Sequence, residues 1–205
     1  MKALLVSAPE ELRAELCELS RSKLVKRAAR FRLGGCPDDV TAATKFALHS
    51  VARRYLRLSE EVSELGEQLD RLVGEAAPEL IAVEGVGTDT AASLLIAAGD
   101  NPQRLRSEAA FAHLCGVAPI PASSGKVARH RLNRRGNRDA NRALYAIAFG
   151  RMRRDRRTRD YVARRTAEGK SKKEIIRCLK RYIARELYRV LVVPSPRERP
   201  PVSAP

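Results

Sequence analysis

Leu48, Val51, Tyr55, Leu58, Val62, Leu65, Leu69 and Leu72 recur at alternating spacings of three and four residues. That period is the a/d seam of a coiled coil, held for more than three heptads with Arg, Glu and Ser between. One apolar stripe this narrow is less than the face a globular core helix usually presents. It predicts a long unbroken helix over about Asp39–Gly74, acting as a coiled-coil arm. An intramolecular helical hairpin would satisfy the same pattern.

The residues around this seam predict further helices. Ser7, Pro9 and Glu10 read as a capping box with proline in the first turn. A second short helix follows over Ser22–Phe31 and stops at Gly34-Gly35. Downstream, "LIAVEGVGTDTAASLLIAAGD" (Leu80–Asp100) places Gly85-Val86-Gly87 between two apolar helical stretches. This pattern resembles a helix-hairpin-helix motif. Gly85 and Gly87 can take positive φ and let backbone N–H groups approach a phosphate at the start of the second helix. An ordinary tight turn between helices fits the same residues. Helices are also predicted over Ser107–Cys115 and Asn137–Arg153, and from Ser171, where Ser171 and Glu174 form a capping box. Extended structure is predicted over Val127–Leu132.

The expected class is mainly α: a long coiled-coil-like helix followed by a compact helical domain containing a helix-hairpin-helix motif. The expected organisation is a helical lead-in over 1–36, a coiled-coil helix over 37–76 and a compact domain over 77–191. That domain would hold the hairpin at 80–98 and a serine-bearing loop at 116–137. The proline-rich segment 192–205 reads as a disordered tail.

Charge narrows the choice of partner. The chain has 205 residues and a formal net charge of +16. Residues 126–189 hold 23 Lys and Arg against six Asp and Glu, whereas residues 1–125 hold 15 against 17. A solvated basic surface would spread its charge more evenly, so the asymmetry points to a polyanionic partner, nucleic acid above all. No apolar run approaches the roughly 18 residues of a membrane span. Cys17, Cys36, Cys115 and Cys178 are widely separated, which speaks against a zinc site or disulfide framework and suits a reducing cytosol. With 4% aromatic residues and no Trp, base stacking is not the obvious mode of binding.

The basic half opens with "PASSGKVARHRLNRRGNRDANRAL" (Pro121–Leu144), where Ser123, Ser124 and Gly125 precede a dense group of cations. Lys126, Arg129, Arg131, Arg134, Arg135 and Arg138 are suited to gripping phosphate oxygens. A serine hydroxyl also needs a group to take its proton. His130 has the right intrinsic pKa, but a solvated histidine is the plainer reading. Ser123-Ser124-Gly125 read alone is equally a turn. Asn137 after Arg134-Arg135-Gly136 reads as a helix cap.

The order of motifs is more specific than any one of them. A coiled-coil helix, "GVGTDTAASLL", "FAHLCGVAPIPASSGK", "RHRLNRRGNRDANRAL" and a basic helical end follow one another. This order closely resembles the C-terminal part of transposases of the insertion-sequence 110/116/902 type. The resemblance implies DNA transposition by a serine nucleophile, placed on Ser124 with Ser123 as the adjacent alternative. It also implies an N-terminal RuvC-like acidic domain that holds Mg2+. The expected partners are DNA, an element-encoded guide RNA, and either a second copy or an intact transposase. Met1 stands where that acidic domain has already ended, so the chain is expected to bind no metal or cofactor itself and to be inactive in isolation. A non-catalytic helical nucleic-acid-binding protein and a regulatory transposase fragment are the competing expectations.

Overall fold

The computed structural model describes residues 1–34, 39–99, 105–121, 130–131, 133 and 135–192. Its mainly α-helical chain forms two compact units, Met1–Gln68 and Leu69–Pro205.

The first unit holds α1 (Lys2–Val6), α2 (Glu10–Cys17), α3 (Arg21–Ala28) and the larger part of α4 (Val40–Ala76). Leu12, Leu16, Leu24, Ala28, Leu48 and Ala52 form its core, and Arg27 pairs with Glu15 at 2.6 Å. The Ser7–Glu10 capping box does not form. Ser7 instead ends α1, an element the sequence pattern did not suggest, and its hydroxyl donates back to the Leu4 carbonyl at 3.5 Å. Pro9 is the N-cap of α2, and Glu10 and Glu11 supply negative charge to the first turn.

The expected long helix is present: α4 is continuous over 37 residues with no break near Leu58. Asp39 starts it by accepting from the backbone N–H groups of Thr41 and Ala42 at 2.9 and 3.3 Å. Val51, Tyr55, Leu58, Val62, Leu65 and Leu72 are exposed along it, Val62 to 68%. Leu48 is buried, and Leu69 packs partly against the core of the second unit.

The second unit contains α5 (Pro78–Ile81), α6 (Thr88–Ala98), α7 (Glu108–Leu114), β1 (Ile120–Pro121), β2 (His130–Arg131), α8 (Arg138–Arg154), α9 (Arg156–Ala167) and α10 (Lys172–Val192). α8 packs against α6 and α10, while α7 rests on α10. Leu80, Leu94, Phe111, Leu144, Ile147 and Leu187 are fully buried there. Each contributes roughly 1.5–3 kcal/mol through removal from water. The Ser171–Glu174 box forms as expected: the Ser171 N–H donates to Glu174 Oε2 at 2.9 Å. The Glu174 N–H returns to Ser171 Oγ at 3.4 Å.

A helix over 156–167 was not anticipated. Asp155 takes an extended ψ of 123° that ends α8, and its carboxylate then caps α9 by accepting from the Arg157 and Thr158 backbones. β1 and β2 pair antiparallel, Ile120 with Arg131 and Pro121 with His130. The expected extended segment is thus present at 130–131, while 127–129 and 132 lie outside the described residues, as does the tail from 193.

Candidate nucleic-acid interface and serine loop

A polar junction fastens the two ends of the 116–137 stretch together. Gly116 follows α7 with φ +66°, and Gly136 precedes α8. A Cβ built on Gly136 would overlap Gly116 N and Cα and lie 2.8 Å from the Cys115 carbonyl carbon. Only glycine permits this crossing of backbones. The Asn137 N–H donates to the Leu114 carbonyl at 2.6 Å. The Asn137 side chain caps α8, accepting from the backbone N–H groups of Asp139 and Ala140 at 2.9 Å each.

Asn141, one turn into α8, continues the junction. Its Nδ2 donates to the Cys115 carbonyl at 2.8 Å and to the Gly116 carbonyl at 3.3 Å. Its Oδ1 accepts from Lys180 Nζ of α10 at 2.8 Å. Lys180 is buried. Burial first, and then the nearby positive charge of Arg177, hold its pKa below the ordinary lysine value. Burial also pushes the Cys115 thiol up to about 12, which leaves it an inert packing group rather than a nucleophile.

β1 and β2 leave this junction as a paired ladder, and the eight residues joining them carry Ser123 and Ser124. Ser123, Ser124, Lys126, Arg129 and Arg134 lie outside the described residues. The remaining expected cations are described. Arg131 is exposed on β2, Arg135 is exposed with its N–H donating to Asn133 Oδ1 at 3.0 Å, and Arg138 is exposed at the start of α8. These three side chains have no ion-pair partner among the described residues.

Other arginines of the basic half are committed to the fold. Arg181 and Arg185 of α10 meet Glu108 of α7 at 3.0 and 2.7 Å. The hydrogen bond from Arg185 is the largest influence holding the Glu108 carboxyl below its ordinary range. Arg165 pairs with Glu168.

Gly85 and Gly87 occupy the turn between α5 and α6. Gly85 has φ +78°, as a residue with no Cβ allows. Its open side is filled, because Arg151 Cγ lies 3.0 Å from where a Cβ would stand. Arg151 is buried, donates from Nε to the Glu84 carbonyl at 2.7 Å, and pairs through Nη1 with Glu186 Oε2 at 2.7 Å. The Gly87 N–H donates to Thr90 Oγ1 at 3.0 Å, and the Val86 N–H to the Val83 carbonyl at 3.0 Å. The Val86 and Gly87 N–H groups are thus both satisfied within the turn. The turn is stapled to α8 and α10, and the helices flanking it are a single turn and eleven residues long.

Asn141, Arg151 and Lys180 escaped the sequence reading. Asn137 and Asn141, four residues apart on one helix face, were the available signal for the first. Nothing distinguished Arg151 or Lys180 from the cations around them. Among the described residues no three His, Cys, Asp or Glu side chains gather as a metal site. No described helix is long and apolar enough to cross a membrane.

Residues 77–163 match the model described as the Transposase IS116/IS110/IS902 family. The chain is similar to the insertion element IS110 uncharacterized 43.6 kDa protein of Streptomyces coelicolor, at 31% identity over 176 residues. That match covers 78% of this chain and 42% of the relative. It is also similar to the insertion element IS900 uncharacterized 42 kDa protein of Mycobacterium paratuberculosis, at 28% identity over 148 residues, or 71% of this chain and 37% of the relative. The matches thus span less than half of either relative's length. The family-matched region begins before α5, includes the 116–137 stretch and all of α8, and ends within α9. Over that part, the chain is homologous to transposases of the IS116/IS110/IS902 family.

Proposed function

We propose that this chain is the coiled-coil and DNA-handling part of such a transposase, with Ser124 as the nucleophile of strand exchange. The observation that carries the reading is the Gly116–Gly136 crossing. It joins the G-V-A-P end and the R-R-G-N end of the motif order at one buttressed place, so the serine stretch between them is tethered at both ends. Arg131, Arg135 and Arg138 near its exit are exposed and have no ion-pair partner among the described residues, which suits binding to a phosphate backbone.

In this reading the Ser124 hydroxyl attacks a DNA phosphorus, and its proton passes to a base. The bond to the 3′-oxygen breaks, that oxygen takes up a proton from solvent or from the protonated base, and a 3′-hydroxyl and a 5′-phosphoserine remain. Attack by another strand's 3′-hydroxyl reverses the linkage and frees the serine. Cations from Lys126 to Arg138 stabilise the charge that develops on the phosphoryl oxygens. A Mg2+ ion held by an acidic domain would supply Lewis-acid activation. The described residues of this chain form no ligand set for one. DNA and a guide RNA are the proposed nucleic-acid partners. The exposed α4 seam favours pairing with a second copy or with an intact transposase.

The test supplies the chain with an acidic-domain transposase of the family and a nicked DNA substrate, then maps any adduct by peptide sequencing. The adduct falls on Ser124, and Ser124→Ala abolishes it while leaving DNA affinity nearly unchanged. An adduct on Ser123, or full activity in Ser124→Ala, would return the loop to the role of a turn.

A further inference from the structure

The inward face of α8 is filled by Ala140, Ala143, Leu144, Ile147, Ala148 and Arg151. Its outward face carries a second pattern. Arg142, Tyr145, Phe149 and Arg153 follow at spacings of three or four residues and so form one stripe, about 16 Å long at 1.5 Å per residue. Tyr145 is 46% and Phe149 40% exposed, and neither belongs to the core of its unit. The two rings are stacked, with centroids 6.2 Å apart and planes 10° from parallel. Arg153 lies over Phe149 with its guanidinium carbon 5.9 Å from the ring centroid. Asp139, which pairs with Arg142, is the only carboxylate on α8.

We propose that this stripe is a stacking platform for the bases of unpaired nucleotides. The inference rests on the reading that the basic half binds nucleic acid, and it names the form of nucleic acid that this face takes. Two parallel exposed rings flanked by arginines suit a strand whose bases lie against the rings while its phosphates meet the cations. A base within a duplex hides its π-face from such a helix, so the platform selects unpaired segments of DNA or RNA. The charge of the stripe favours a polyanion over an apolar protein surface, because Arg153 has no ion-pair partner among the described residues and Arg142 has only the exposed Asp139.

The experiment measures affinities of the full chain for a single strand, the same strand with abasic sites, and a duplex of equal length, using DNA and RNA versions. Tyr145→Ala with Phe149→Ala should weaken binding to the base-bearing single strand by about tenfold or more. Binding to abasic strand and duplex should change by less than about twofold. Tyr145→Leu with Phe149→Leu keeps apolar area without π-faces and should show the same selective loss, with an unchanged melting temperature as the control for folding. A wild-type chain that binds base-bearing and abasic strands equally would overturn the platform while leaving the nucleic-acid reading intact. So would loss of self-association without selective loss of single-strand affinity, which would assign the rings to a protein contact. Failure of the wild-type chain to bind any nucleic acid would remove both.

Discussion

At Gly136 a single hydrogen replaces what would be a collision. A methyl group there must displace the Gly116 backbone, and no flexible side chain can yield in its place. Gly136→Ala should therefore lower stability by roughly 3 kcal/mol or more, read as a drop in melting temperature or urea midpoint. The junction also contains a titration. Lys180 loses water on folding and gains one amide oxygen, so its folded pKa lies below the 10.5 of an ordinary lysine. Between the folded value and 10.5 the unfolded chain binds more protons, and stability rises with pH. Lys180→Met should remove that rise. Urea midpoints of the two proteins, taken from pH 8 to 10.5, should show the wild type gaining on the variant. Parallel curves would mean that Lys180 stays solvated. Arg151→Met should cost about 2–3 kcal/mol, because the Glu84 carbonyl and Glu186 lose a charged donor at the Gly85 turn.

At the scale of elements, the 3-4 spacing of the α4 seam predicted the helix because periodicity is a local property of the chain. Where a cap depends on what precedes it, local reading fell short. Ser171–Glu174 opens a helix as expected, yet the identical spacing at Ser7–Glu10 does not, since Lys2–Val6 already forms a helix that Ser7 closes. The helix over Arg156–Ala167 was illegible in a stretch of arginines with no apolar stripe. Its start comes from the Asp155 cap, and its burial from Thr158 and from Tyr161 and Val162 packing on the core. For the candidate site, motif order drew attention to the 116–137 stretch, but the crossing of Gly116 and Gly136 is a tertiary contact that spacing does not encode. The exposed seam of α4 gives a prediction of its own. Leu58→Lys with Leu65→Lys places charge where a partner helix would pack and should leave a monomer by sedimentation velocity, with helicity retained. Unchanged association in that variant would place the interface elsewhere.

Over the whole molecule, charge and structure divide the arginines into two groups. Arg151, Arg165, Arg181 and Arg185 are tied to carboxylates within the second unit, so they contribute little to binding. Arg131, Arg135 and Arg138 are exposed without such partners among the described residues, and they are among the groups that can displace counterions from nucleic acid. The most direct test of the nucleic-acid account is the dissociation constant for duplex DNA and structured RNA between 50 and 200 mM salt. With ~6 phosphate contacts, affinity should fall by about three orders of magnitude across that range. Arg135→Ala with Arg138→Ala should lower the logarithmic slope by about two. An affinity that hardly changes with salt, or a slope indifferent to those two arginines, would contradict the account.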